Sequence, residues 1–233
     1  MKRNIKKSGL FLSLVMFASI SSFGQGYLQD PNYGETEEER TKCAMSLSIM
    51  TEYVKIKSYD YAVDSWQDVL YNCPKSSKNV YIYGEQIAEH KIKNAEDEAT
   101  RSAWVDTLMK VYDMRIENFG QAGFVYGKKG LDLLKYRQDE AIEDAYGYLE
   151  KSIDLRNENV KESVACTYMT LSNILLQQGS IEADEMVNNY IKVIDALEKK
   201  LAEEGDDPDI LDAIENVEEV FTESGAANCD DLI

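Results

Sequence analysis

Histidine occurs once, at His90, and proline only three times, at Pro31, Pro74 and Pro208. Alternating β-branched runs are missing, and after residue 24 no apolar run reaches the roughly 20 residues that a membrane span needs. No H-E-x-x-H, G-x-S-x-G or glycine-rich phosphate loop is present either, so the usual signatures of metalloprotease, hydrolase and nucleotide chemistry are missing. His90 lies among charges in "AEHKIKNAED", which suits a surface position better than a general base. The acidic stretch "EEGDDPDILD" lacks the glycine and the terminal glutamate spacing of a calcium loop. The expectation is a protein that is not an enzyme, with no catalytic residues, no metal site and no cofactor.

Positive charge is scarce as well. Lys and Arg number 25 against 43 Asp and Glu, a formal charge of −18. A nucleic-acid binder must neutralise phosphates with clustered cations, so that partner class is disfavoured. Twelve acidic residues and no Lys or Arg follow Lys200, which reads as a solvated terminal helix and tail.

What is present begins with "MKRNIKKSGLFLSLVMFASISSFGQG". Four cations precede a short apolar run and a small-residue end, the pattern of a secretory signal. Ser22 and Gly24 would stand three and one residues before a cut at Gln25. The run is short for an uncleaved membrane helix, and no cysteine follows it to carry a lipid. Loss of residues 1–24 would take the formal charge from −18 to −22. The expected domains are a signal peptide over 1–24, a lead-in over 25–40, helical repeats over 41–205, and a capping helix with acidic tail over 206–233. The expected location is exported, in the periplasm or the cell envelope.

Apolar residues recur at three- and four-residue steps in nine segments, starting near Met45, Tyr61, Val80, Trp104, Phe124, Ala141, Val164, Met186 and Ile210. The joints carry stop and start signals: Asp60 as a cap, Gly120 and Gly179 past helix ends, Pro208 in a first turn and Gly225 at a last. The fold class is therefore all-α, with eight helices pairing into about four hairpins and a ninth capping them.

Within "YDYAVDSWQDVLYNCP", Ala62, Trp66 and Pro74 are spaced as in a tetratricopeptide repeat, with Tyr53 nine residues before Ala62. The small residue lets two helices approach, the aromatic fills the groove beside it, and proline ends the unit. The next unit places Gly84 where close contact is wanted, and Gly130 and Ala145 take equivalent places later. The spacing then lengthens: Ala62, Ala103, Ala145 and Met186 lie 41 or 42 residues apart. The chain thus resembles the tetratricopeptide (TPR) repeat family, which implies a right-handed solenoid; other helical-hairpin solenoids are the competing fold. Through "VDTLMKVYDMRIENFG", "GKKGLDLLKY" and "ESGAANCDDLI" it also resembles larger exported bacterial members of that family. In those proteins more repeats follow, so a short paralogue or a truncated reading frame is expected.

Four cysteines, Cys43, Cys73, Cys166 and Cys229, allow three pairings. Cys43 opens the first helix of a hairpin and Cys73 closes the second, so these ends lie side by side and a disulfide is expected there, two buried thiols being the alternative. Cys166 falls mid-helix and reads as core. Stacked hairpins typically receive a peptide or a partner helix in the groove lined by their first helices. Mapping the repeat onto the chain places Lys55, Tyr81, Glu85, Phe124, Lys135, Asn173 and Gln177 towards that groove. Lys55, Lys135 and Asn173 are expected to grip a carboxylate, with Tyr81 and Phe124 as apolar anchors. The expected role is a scaffold for a protein or peptide partner, or else a structural subunit of a larger envelope complex.

Overall fold

A computed structural model describes residues 26–227 of the chain. The expected signal peptide and Cys229 lie outside them. Every regular element among the described residues is helical. Nine α-helices follow one another: α1 Glu37–Lys55, α2 Tyr59–Asn72, α3 Asn79–Lys93, α4 Glu98–Phe119, α5 Ala122–Arg137, α6 Ile142–Arg156, α7 Glu162–Gln177, α8 Ala183–Glu204 and α9 Pro208–Ser224. Short 3-10 turns at Gly26–Gln29 and Pro31–Tyr33 precede α1 and pack against it, so the first helix starts inside the expected lead-in.

Local chemistry sets these boundaries. Thr36 and Glu39 form a capping box at the start of α1, each side chain taking the other residue's backbone N–H. Asp97 accepts from the N–H of Thr100 at 2.7 Å and opens α4. Pro208 occupies the first turn of α9, and Gly225, at φ 70°, ends it in the left-handed conformation. One expected cap is corrected. Asp60 does not cap α2: the preceding residue pair closes α1, with Lys57 at φ 58° and the Ser58 N–H bonded to the Tyr53 carbonyl. Helix α2 therefore begins at Tyr59, and Asp60, inside its first turn, reaches across to Lys91 at 2.9 Å and His90 at 3.2 Å on α3.

Each helix packs antiparallel on the next, so the chain zigzags. The Cys43–Cys73 disulfide, with Cα atoms 6.3 Å apart, joins the start of α1 to the end of α2. Helices two apart run parallel. Gln177 of α7 meets the Ser224 carbonyl of α9, and Cys166 of α7 meets that of Ala213, the same sequence offset at both ends. In the even row, Trp66 of α2 lies 6.4 Å from Trp104 of α4, and Lys110 of α4 sits 4.9 Å over Tyr71 of α2. Lys192 of α8 binds Asp154 of α6 at 2.8 Å. Among the described residues, α1, α3, α5, α7 and α9 thus meet in turn on one side, α2 meets α4 and α6 meets α8 on the other, and the apolar core falls into three clusters.

Of the expected packing residues, Ala62, Trp66, Gly84, Gly130 and Ala145 are buried, and Tyr53 and Pro74 are partly exposed. Ala62 and Trp66 are fully buried, and the Trp66 indole N–H donates to the Val80 carbonyl at 3.0 Å. Gly84 lies directly against the indole, and Gly130 against Leu149. Tyr53, half-buried, stacks on Tyr61 with centroids 5.7 Å apart. Pro74 follows α2, and its carbonyl accepts from the Tyr81 hydroxyl at 3.0 Å. Ala145 and Met186 are buried, whereas Ala103 is exposed. Helix α4 turns Val105, Leu108, Val111 and Tyr112 inward instead, which shifts the repeat register there.

Candidate functional site

Three helices converge on a cavity of about 240 Å³. Helix α5 brings Phe124, Gly127, Lys128 and Leu131, spaced so that they share one face. Ser152 and Arg156 come from the end of α6, and Lys161, Ser163 and Val164 from the start of α7. The glycines of "GFVYGKKG" make this convergence possible. A Cβ on Gly123 would stand 2.8 Å from the Arg156 side chain, and one on Gly127 would stand 2.8 Å from the Ser152 hydroxyl. The absent side chains let α5 lie against α6 and bring Phe124 beside Arg156. Ser152 donates to the Gly123 carbonyl at 2.7 Å and fixes that approach.

Cations ring Phe124. The Arg115 guanidinium lies 5.3 Å from the ring centroid, that of Arg156 5.8 Å, and the Lys161 ammonium 5.8 Å. Cation–ring contacts of this kind contribute about 0.5 to 2 kcal/mol, more as water is excluded. Arg115 is buried, and its Nη1 donates to Glu85 at 2.7 Å while its Nε has no hydrogen-bond partner. Lys128 pairs with the other Glu85 oxygen. Arg156 is steadied by its Nε–H donating to the Asn159 carbonyl at 2.6 Å. Among the described residues no carboxylate forms an ion pair with Arg156 or Lys161; Glu162, next to Lys161, pairs with Lys200 and feels the Lys161 charge only at longer range. Lys161 is also the N-cap of α7 and provides no side-chain cap, so the positive end of that helix dipole adds to the same field.

The residues expected in the groove divide. Phe124 is half-buried in this cavity, and Glu85 lies behind it, buried and joined to it through Arg115 and Lys128. Tyr81 is corrected. It is fully buried, with its ring edge-on to Phe119 at 5.7 Å, because its position on α3 faces the junction with α2 and α4. Burial pushes its hydroxyl up to about 12. It therefore presents no surface to a partner.

Lys55, at the exposed end of α1, pairs with Glu52 at 3.1 Å. Lys135 is exposed and stands 4.6 Å over the Tyr136 ring. Asn173 and Gln177 meet each other at 3.4 Å on α7. Gln177 also reaches the Ser224 carbonyl of α9, and Lys55, Lys135 and Asn173 share no contact with one another.

Sequence reasoning missed Lys128, Arg156 and Lys161. The three glycines of "GFVYGKKG" at four- and three-residue steps were the available signal, since they mark the face of α5 where another helix comes close.

Other candidate chemistry is accounted for by packing. His90 bonds to Asp60 and lies against the Tyr59 ring, with centroids 5.1 Å apart. Cys166 is half-buried, and burial pushes its thiol above the ordinary range. No group of three or more described His, Cys, Asp and Glu residues is placed to hold a metal ion, and no described helix is long and apolar enough to cross a membrane. No family model, curated protein or solved structure matches this chain.

Proposed function

We propose that the chain is an exported, tetratricopeptide-like scaffold of the bacterial cell envelope that holds a partner protein on the surface of its odd-numbered helices. The supporting observation is the pairing of helices two apart: α7 and α9 are bonded at one sequence offset, and Lys192 of α8 pairs with Asp154 of α6. In stacked helical hairpins each unit contacts its neighbours, one row is left free along its length, and that row is a binding surface. Export is supported by the signal-like opening and by the Cys43–Cys73 bridge, since disulfides persist in oxidising compartments. The formal charge of −18 favours a protein partner over nucleic acid. No catalytic step is assigned.

A second reading, as a fixed subunit of a larger envelope complex, is favoured by one feature. Met45 and Ile49, one turn apart on α1, are 60% and 45% exposed. Size-exclusion chromatography of the native protein with mass analysis separates the two readings. The scaffold should elute mainly as a monomer with a dissociable partner, whereas a complex of fixed stoichiometry would favour the subunit.

A further inference from the structure

The pocket beside Phe124 concentrates positive charge on a chain that is strongly acidic overall. Lys128, Arg156 and Lys161 line it, buried Arg115 lies against Phe124 behind them, and Glu85 is the one described carboxylate in an ion pair with any of the four. Like charges gathered around a single ring repel one another. The repulsion is relieved on the Arg115 and Lys128 side by Glu85, while on the Arg156 and Lys161 side the cations stand open to solvent beside the uncapped start of α7.

We propose that this pocket binds the carboxylate side chain of a single acidic residue in an otherwise neutral segment of a partner protein, an assignment that rests on the scaffold reading above. Its carboxylate would lie between Arg156 and Lys161, where planar guanidinium and ammonium groups form charge-assisted hydrogen bonds. Its aliphatic stem would lie along Phe124, Leu131 and Val164. Two observations select this ligand. The same cation group already holds a carboxylate, Glu85, on its inner side. The chain's net charge of −18 repels polyanions, so the local cations dominate only within a Debye length, about 8 Å at physiological salt. One charge close to the ring suits that balance, and a lipid surface or a nucleic acid does not.

The test is calorimetric titration of the full chain with a blocked pentapeptide carrying one glutamate between two leucines, and with the same peptide carrying glutamine. The glutamate peptide should bind about tenfold or more tightly than the glutamine peptide, a difference of about 1.4 kcal/mol. Lys161→Glu should abolish that preference, and Lys135→Glu, on the same helix row, should leave it intact. Lys161 is exposed at a helix cap, so its replacement does not threaten the fold. Equal binding of the two peptides would overturn the proposal, as would a preference that survives Lys161→Glu. Inorganic phosphate competing as well as the glutamate peptide would also overturn it, since the pocket would then be a general anion site. A native partner that Lys161→Glu still captures at full strength would leave the scaffold reading standing and remove this pocket from it.

Discussion

Gly84 lies so close to Trp66 that a Cβ on the glycine would stand 2.7 Å from the indole Nε1 and 3.0 Å from two ring carbons. Indole and glycine backbone together bring α2 and α3 into contact, and the Trp66 N–H is satisfied by the Val80 carbonyl one turn earlier. Gly84→Ala must push the indole out of this seat. Overpacking of a tight core typically costs about 1 to 3 kcal/mol, and a loss near 2 kcal/mol is expected here. Urea unfolding followed by tryptophan emission checks it; a variant as stable as the parent would mean that the two helices move apart freely.

That contact was legible in the sequence, and its legibility has a physical cause. Ala62, Trp66 and Gly84 are extreme in size, so their spacing stands out in the sequence. Tyr81 was not legible. Helix α3 buries Val80, Tyr81, Gly84, Glu85, Ile87 and Ala88, which together cover more than one stripe, so its groove side cannot be read from periodicity. The Phe124 pocket was half legible. Phe124 was identified, but Arg156 and Lys161 belong to the junction of α6 and α7, and Glu85 finds Arg115 and Lys128 at sequence separations of 30 and 43. Pairings at such separations are set by how the helices stack.

The disulfide closes a loop with a sequence separation of 30. Restricting the unfolded chain by a loop of that size stabilises by about 3 to 4 kcal/mol in the chain-entropy view. Reduction, or Cys43→Ala with Cys73→Ala, should lower the unfolding free energy by about that much. Mass mapping of the unreduced protein should recover the two peptides linked, and recovery of two free thiols would show that the bridge does not form.

Asp68 ties α2 to α1. It accepts from Lys42 at 2.8 Å, Ser46 at 2.6 Å and Asn72 at 2.9 Å, and the Lys42 ammonium, followed by the Ser46 hydroxyl, holds its carboxyl below the usual range. A depressed carboxyl contributes stability that is fully present above the unfolded value near 4 and is lost as pH falls through the folded value. Asp68→Asn should therefore cost about 1 kcal/mol at pH 7, Lys42 being screened by solvent. Thermal melts across the acid range should show the gap between parent and variant closing as pH falls below the unfolded value near 4 and through the lower folded one. A gap that persists there would assign the loss to packing.

Glu85 is the buried counter-charge of Arg115, at 2.7 Å, with side chains 8% and 5% exposed. Removing one partner strands the other charge in the core, at a cost of about 3 to 5 kcal/mol. Glu85→Ala should lose about 3 kcal/mol in guanidinium unfolding, and Glu85→Leu combined with Arg115→Met should recover most of it. A double variant no more stable than Glu85→Ala would show that the pair sets the local packing as well as its charge balance.

A partner held in the cation-ringed Phe124 pocket, between α5, α6 and the start of α7, should depend on Lys161 for its capture. Capture from envelope extract should be compared for the parent, Lys161→Glu and Lys135→Glu at matched thermal stability. Capture by the parent and Lys135→Glu is expected, with its loss in Lys161→Glu. Equal capture by all three, or loss only in Lys135→Glu, would contradict it.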